Sequence, residues 1–197
     1  MVKERCGWCG EDGIYVDYHD HEWGVPLRDA NKLFELLSLE GMQAGLSWFT
    51  VLKKRDRLRK VFDAFDPERV RRYGTSRIQQ LMQDAGIIRH RGKIEAVINN
   101  AHCYLELSAQ QAPAEFFWSF VEHEPRLNRW ETAHQVPAFS ETSEAMSNAL
   151  KARGFRFVGP RICYAFMQSA GLVNDHLTSC FRYQECASII SGTDTAL

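Results

Sequence analysis

Glu40 is an acidic residue in the most apolar stretch of the chain, and it is the first candidate for chemistry. The stretch runs from Leu33 to Leu52, and Glu35 and Glu40 are its only charged residues. On a helix these two carboxylates point to different faces, so they cannot both lie on the solvent side. A carboxylate in an apolar wall must be paired, protonated or turned toward a cavity, because burying it alone is too costly. Glu40 is therefore a candidate for work inside a pocket.

Aromatic residues are concentrated around this acid. The first quarter of the chain holds three of the five tryptophans and two of the six tyrosines: Trp8, Tyr15, Tyr18, Trp23 and Trp48. A single acid among aromatic rings suits a flat, electron-poor ring as ligand. The alternative for each ring is a place in the hydrophobic core, and for Trp23 and Trp118 we prefer that alternative.

Cysteine and histidine residues near the two ends of the chain form a second candidate site. They are Cys6, Cys9, His19 and His21 near the start, and His176 and Cys180 near the end. The last two are four residues apart, so one helix face would carry both as a metal pair. With a pair from the other end they would form a closed, structural zinc site. The N-terminal pair stays open at this point, since Cys6 with Cys9 has a common zinc or redox spacing. Free thiols and surface histidines are the remaining alternative.

The distribution of charge is more informative than the net charge of −1. Basic residues cluster at 53–60, 69–77, 89–93 and 151–156. Each cluster alone is typical of a solvated helix face, but four together favour a polyanionic partner.

Length and composition limit the class of protein. A chain of 197 residues, 45% of them hydrophobic, can bury a core as one domain or as two packed lobes. No window reaches the roughly 18 apolar residues of a membrane span. The N-terminus lacks an apolar signal core, so we expect a cytoplasmic protein without a membrane partner.

The spacing of apolar residues is helical almost throughout and predicts an all-α fold of about eight to ten short helices. Asp29 is expected to cap a helix that continues to about Leu39, and Ser76 to open a helix that Gly86 closes. Other start signals are Asp66 with Pro67, Pro113, Ser140 and Pro160. Stretches with the alternation of a strand are limited to residues 13–16 and 155–158.

Two segments resemble helical hairpins. One covers residues 81–101, and in the other Gly154 and Gly159 bracket a turn between two helices. Glycine permits positive φ and close backbone approach, and the next helix offers free N–H groups to a phosphate. These properties are typical of helix-hairpin-helix DNA binding, which contacts the DNA backbone, although an ordinary corner between helices would look similar.

Several long motifs carry a resemblance to a known family. They are CGWC, YHDHEWGVP, LEGMQAGLSW, DAGIIRHRGKI, GFRFVG and GLVNDH. Together they closely resemble the bacterial DNA-3-methyladenine glycosylase I family, over about residues 4–182. The resemblance implies a helix-hairpin-helix DNA glycosylase fold with two helical lobes and a zinc site that ties the terminal segments together. We expect one domain over residues 1–187, with both termini in the same lobe, a frayed tail over 188–197, and a monomer.

The resemblance also implies an activity and roles for individual residues. The expected enzyme flips 3-methyladenine out of alkylated double-stranded DNA and releases the free base. The implied zinc ligands are Cys6, His19, His176 and Cys180, which excludes Cys9. The implied base pocket contains Glu40 as the catalytic group, with Tyr18 and Trp48 and, lining it, Tyr15 and Trp8. The implied DNA contacts are Leu46, which enters the duplex, Gln43, and the hairpin residues Gly154, Gly159 and Arg161.

One departure from the wider superfamily affects the chemistry. Asn174 stands near the position of a common catalytic aspartate, with Asp175 next to it, and Arg161 stands where bifunctional members have lysine. A guanidinium stays protonated and is a poor Schiff-base nucleophile, so we expect a monofunctional enzyme that leaves an abasic site. The alternatives are a glycosylase of broader lesion range, a non-catalytic zinc-stabilised DNA-binding module and a zinc hydrolase.

Overall fold

The structure, a computed structural model that describes residues 3–190, contains ten α-helices and two very short strands. The helices are α1 (Gly13–His21), α2 (Ala30–Gln43), α3 (Trp48–Val61), α4 (Pro67–Val70), α5 (Thr75–Gln83), α6 (Arg91–Gln110), α7 (Pro113–Trp118), α8 (Glu141–Ala152), α9 (Pro160–Ser169) and α10 (Phe181–Ile190). Strands β1 (Arg126–Leu127) and β2 (Val173–Asn174) pair in parallel. The predicted helical class is confirmed, whereas the small sheet was not predicted, because two-residue strands show no alternation.

Helix α2 carries the acid and begins where the sequence predicts. The Asp29 side chain accepts a 2.8 Å hydrogen bond from the Lys32 backbone N–H, which caps the first turn. The predicted end near Leu39 is wrong, because the helix continues to Gln43 and the chain first turns sharply at Gly45, with φ +75°. Glu40 therefore lies in the last turn of α2.

The predicted bounds of α5 are both wrong. The helix starts after Gly74 as N-cap and not at Ser76, and it ends at Gln83 before Gly86 is reached. The Asp84 carboxylate accepts a 2.8 Å hydrogen bond from the Gly86 N–H, and this local turn competes with a further helical turn.

Neither of the two strand-like stretches forms a strand. Residues 13–16 begin α1, where the Asp12 side chain accepts from the Ile14 N–H. Residues 155–158 form the irregular connection between α8 and α9. Both stretches are too short for alternation to outweigh caps and turns.

The core lies around α2 and α9. Helix α2 contacts α3, α6, α7 and α9, and α8 packs along α9. The two ends of the chain come together, since the Phe181 N–H donates a 3.0 Å hydrogen bond to the Glu4 carbonyl. Within residues 3–190, no helix has the length and apolar character that a bilayer crossing requires. Residues 188–190 of the predicted tail are the last residues of α10, and the remainder of that tail lies outside the described residues.

Candidate base-binding pocket and metal cluster

Helices α1, α2, α3 and α9 surround a cavity of about 420 Å³. Its lining includes all five residues predicted for the base pocket: Trp8, Tyr15, Tyr18, Glu40 and Trp48. Trp8 comes from a 3₁₀ turn over Gly7–Cys9, and Trp48 is the first residue of α3. The structure therefore brings together side chains from four separate segments.

Glu40 is 1% exposed, and its two carboxylate oxygens have different environments. Oε1 accepts a 2.7 Å hydrogen bond from the Ser169 hydroxyl, whereas Oε2 is buried without a partner. Burial raises the pKa of Glu40 from 4.5 to about 8, and the bond from Ser169 opposes this shift. A buried oxygen without a donor at a cavity wall is arranged to accept a hydrogen bond from a ligand.

The aromatic residues form a continuous wall. The ring centroid of Trp8 lies 5.1 Å from Tyr15 and 6.4 Å from Tyr18, and the Tyr18 ring lies 5.4 Å from Trp48. Trp23, for which a core position is preferred from the sequence, also lines the cavity. Its ring centroid lies 4.9 Å from that of Trp8. These rings offer faces and edges suited to a flat ligand.

A chain of hydrogen bonds links this wall to the acid. The Tyr18 hydroxyl donates to Ser169 Oγ at 2.9 Å, and Ser169 in turn donates to Glu40. Burial, followed by the nearby Glu40 carboxylate, raises the pKa of Tyr18 well above 10, so it stays a donor. Sequence reasoning missed Ser169, which closes α9 and lies 129 positions from Glu40.

Helix α9 also contributes to the cavity, and of its lining residues only Arg161 was predicted as a site residue. Its face toward the cavity carries Arg161, Tyr164, Ala165 and Gln168. These positions have the i, i+3, i+4, i+7 spacing of one helix face, so the polar members were a readable signal.

Asp175, considered above for its position next to Asn174, also lines the cavity, but its carboxylate is fully occupied. Oδ1 accepts from Asn128 and Trp130 at 2.7 and 2.8 Å, and Oδ2 accepts from Tyr164 and Gln168 at 2.7 and 2.8 Å. Four donors make this carboxylate an acceptor that joins three segments of the chain.

Cys6, His19, His176 and Cys180 form one buried cluster, and their ligand atoms all lie within 4.8 Å of one another. Cys180 Sγ is 3.5 Å from His19 Nε2 and 3.6 Å from His176 Nδ1. Cys9 points elsewhere, because its thiol donates to the Cys6 carbonyl at 3.2 Å. This cluster could hold a metal ion.

The surroundings of the cluster orient both imidazoles. His19 Nδ1 donates to Asp20 at 2.8 Å, and His176 Nε2 donates to the Trp23 carbonyl at 3.0 Å, so each ring presents its other nitrogen to the cysteines. A hydrogen bond from the Arg5 guanidinium lowers the pKa of Asp20 to about 2. A hydrogen bond from the Cys6 thiol lowers the pKa of Cys180, and burial opposes this shift. Ring tautomers and thiolate character both suit metal ligation.

The residues predicted to contact DNA lie on two exposed turns beside the cavity. Leu46 is 41% exposed on the turn between α2 and α3, and its N–H donates to the Gln43 carbonyl at 2.6 Å. Gln43 and the exposed Arg161 both line the cavity. The α2–α3 turn is therefore hydrophobic at its tip. The α8–α9 turn leads into the first turn of α9, which places the Arg161 cation at the mouth of the cavity.

The hairpin between α8 and α9 differs in one respect from the expectation. Gly154 has φ +84°, as expected, but Gly159 has φ −65°, and the residue between them with positive φ is Phe157, at +55°. Gly159 is instead the N-cap of α9, and a Cβ added to it would meet no atom within 4 Å. This open approach leads to the free N–H groups of the first turn.

Comparison with known proteins gives the same family over most of the chain. The family model described as methyladenine glycosylase matches residues 8–183. DNA-3-methyladenine glycosylase 1 of Escherichia coli (strain K12) is 53% identical over 181 residues, which cover 91% of this chain and 97% of that protein. The chain belongs to the methyladenine glycosylase family.

Solved structures agree with this assignment. A crystal structure of 3-methyladenine DNA glycosylase I has a TM-score of 0.89 at 50% identity, and the match covers 90% of this chain and 98% of that one. A tyrosine-to-phenylalanine variant of 3-methyladenine DNA glycosylase I, in complex with 3-methyladenine, has a TM-score of 0.87 at 38% identity and covers 90% and 96%.

Proposed function

We propose that this protein is a DNA repair glycosylase that excises 3-methyladenine from alkylated DNA and leaves an abasic site. The observation that carries the proposal is the unpartnered Oε2 of Glu40, buried at the wall of an aromatic cavity. Family membership supports the same conclusion, and a related enzyme has been solved with 3-methyladenine bound. We also propose a cytoplasmic location, because the proposed substrate is DNA.

Recognition of the base rests on charge and on stacking. In DNA, N3-alkylated adenine carries a positive charge, and a cationic purine stacked on Trp48 or Tyr18 gains about 0.5–2 kcal/mol over a neutral ring. Glu40 accepts a hydrogen bond from the amino edge of the base through Oε2, and a charge-assisted bond is about twice as strong as a neutral one. The cation also lowers the pKa of Glu40 from its raised value, so the carboxylate ionises as the lesion enters.

Excision then needs little acid catalysis. Water adds to the anomeric carbon of the sugar while the bond to the base breaks, and the bonding pair neutralises the departing base. The products are an abasic sugar, neutral 3-methyladenine and a proton. Normal adenine lacks the charge, so the pocket selects the substrate by favouring the cation, and catalysis is largely recognition.

DNA is held by the two exposed turns in this proposal. The base must leave the duplex at a cost of a few kcal/mol, and Leu46, beside Gln43, fills the space that it leaves. The α8–α9 hairpin acts as a helix-hairpin-helix motif, with Gly154 in its turn and Gly159 open to a phosphate at the N-terminus of α9. Arg161, exposed in that first turn, adds a positive charge. We propose a monomer that is one domain of two helical lobes, with both ends of the chain in the same lobe.

Zinc is the metal that best fits the cluster. Tetrahedral zinc, with bonds of about 2.3 Å to sulfur and 2.0 Å to nitrogen, separates these ligands by about 3.5 Å. The sulfur–nitrogen distances of 3.5 Å to His19 and 3.6 Å to His176 match this value. Four protein ligands would leave no open position, so a bound ion would tie residues near the two ends of the chain together and would not activate water. Because His19 follows Tyr18 in α1, ligation of His19 would also steady one wall of the pocket.

Strand cleavage is not part of the proposed reaction. A Schiff-base mechanism needs a deprotonated amine at the pocket, and the described residues that line the cavity include Arg161 but no lysine. Borohydride reduction in the presence of lesion DNA should therefore trap no covalent adduct.

One assay tests the proposed function and separates it from its rivals. Chromatography of the bases released from methylated DNA should show 3-methyladenine with the wild type and almost none with Glu40→Gln. Release of 7-methylguanine as well would show a broader range. If no base is released, the chain is a DNA-binding module and the proposal is wrong.

A further inference from the structure

Helix α6 lies behind both of the turns that are proposed to contact DNA. Lys93 and Asn100 are seven residues apart, two helical turns, so they share one face of α6. Both are nearly buried, at 6% and 4% exposure, although neither side chain lines the base pocket. Buried polar side chains of this kind need partners, and here the partners are the backbones of the two turns.

Lys93 holds the end of α2, just before the turn that carries Leu46. Its ammonium donates to the Met42 carbonyl at 2.9 Å and to the Ala44 carbonyl at 2.6 Å. A cation at the last carbonyls of a helix satisfies groups that the helix itself leaves unpaired. The next residue is Gly45, where the backbone reverses, so the ammonium fixes the base of that turn.

Asn100 holds the α8–α9 hairpin through a two-bond clamp. Its amide donates to the Arg156 carbonyl at 2.9 Å and accepts from the Arg156 N–H at 2.8 Å. The neighbouring Asn99 donates to the Gly154 carbonyl at 2.8 Å. Arg156 and Gly154 lie in the connection between α8 and α9, and all three hydrogen bonds are made by side chains of α6.

The segments held by Lys93 and by Asn100 meet at Phe157. This residue keeps a left-handed φ of +55°, a strained conformation that persists only where its surroundings enforce it. The Asn100 clamp fixes the residue before it, and α2 fits against it at Gly41, where an added Cβ would lie 3.4 Å from the Phe157 carbonyl oxygen. Lys93, Asn100, Gly41 and Phe157 line one small void. The α8–α9 hairpin and the C-terminal end of α2 are thus held in a fixed arrangement.

We propose that Lys93 and Asn100 are positioning residues that set the Leu46 turn and the α8–α9 hairpin in one fixed relation for duplex DNA. The inference rests on the proposed function. Leu46 must enter the base stack at the position set by the hairpin's contact with the DNA backbone. If either turn is loosened, the lesion is misplaced even when the pocket is intact. A misplacement of about 1 Å costs up to about a hundredfold in rate.

The test compares Lys93→Met with Lys32→Met, which removes an exposed lysine in the first turn of α2, outside the four basic clusters. Release of 3-methyladenine is measured from methylated duplex and from methylated single strands, and binding of the free base is followed by tryptophan fluorescence. Lys93→Met should lose at least about tenfold on duplex, and clearly less on single strands, with free-base binding unchanged. Lys32→Met should behave like the wild type. Equal losses on both DNA forms would overturn the proposal.

A second comparison separates positioning from general structural support. In a Leu46→Ala background, Lys93→Met should cause little further loss on duplex, because residues that act through one element are not additive. A full additional loss would overturn the role of Lys93. If Lys93→Met does not fold, Asn100→Ala decides: a duplex-selective loss supports the proposal, and an equal loss on both substrates overturns it. If the wild type releases no 3-methyladenine, the proposed function has failed instead.

Discussion

The hydroxyl of Ser169 donates a 2.7 Å hydrogen bond to one oxygen of Glu40, and the other oxygen is left without a protein partner. The bond fixes the orientation of the carboxylate within an apolar setting. One oxygen of Glu40 is thus held by Ser169, and the other is available to a ligand. Stability and function therefore make opposite demands on Glu40, and this opposition can be measured.

Replacing Glu40 with glutamine should stabilise the protein while it abolishes excision. The pKa of Glu40 is about 8 in the folded protein against an ordinary 4.5, so the folded state binds the proton more tightly than the unfolded chain does. Stability therefore falls as pH rises from 4.5 to 8 and is constant above that range. At pH 7 the wild type is destabilised by about 3 kcal/mol, because each pH unit above 4.5 costs about 1.4 kcal/mol. Urea unfolding across this range should show that the free energies of unfolding of Glu40→Gln and the wild type differ more as pH rises. Equal pH dependence in the two proteins would contradict the raised pKa of Glu40.

Replacing Ser169 with alanine should shift the pH dependence of excision. The Ser169 hydroxyl lowers the pKa of Glu40, so its removal raises that pKa further. Because the lesion is proposed to bind ionised Glu40, the acidic limb of the kcat/KM profile should move up by about one pH unit. Tyr18→Phe, which removes the donor one link further away, should move the limb less. A profile that falls in height without moving would mean that Ser169 only supports packing.

Removal of the proposed zinc ion should destabilise the fold and not merely inactivate the protein. Metal analysis should find one zinc ion per chain, and chelation or Cys180→Ser should lower Tm by at least about 10 °C, since each kcal/mol is worth about 2–4 °C at this size. Cys9→Ser is the matched control, because the Cys9 thiol points away from the cluster. Activity should fall in proportion to the folded fraction. Chelation that removes activity at an unchanged Tm would instead indicate a hydrolytic metal.

Truncation of Leu46 should affect duplex DNA selectively. Leu46→Ala leaves the gap in the stack unfilled, so excision from duplex should fall about tenfold more than excision from single strands. Leu127→Ala removes a similarly exposed leucine on β1 and should change neither rate. Equal loss on the two substrates would count against insertion of Leu46.

Local signals in the sequence were sufficient for most of the helices. Caps such as Asp29 and Ser140 depend on hydrogen bonds within a few residues, so the chain specifies them directly. The signals failed where two local choices compete: Asp84 forms a turn with Gly86 and ends α5 early. They failed also for β1 and β2, whose pairing depends on residues 47 positions apart (Arg126 with Val173).

The sequence by itself determined which residues are available for the site: an acid in an apolar helix, a group of aromatic rings and soft ligands at both ends. Only the tertiary structure decided their partners. It turns Cys9 away from the cluster, occupies Asp175 with four donors and places Ser169 against Glu40. The physical reason is that residue type and spacing fix short-range hydrogen bonds and helix faces, whereas burial, pKa and partnership depend on how distant helices pack. Glu40 is an acid in the sequence, and the packing of α9 gives it the partner and the orientation on which its proposed role in base binding rests.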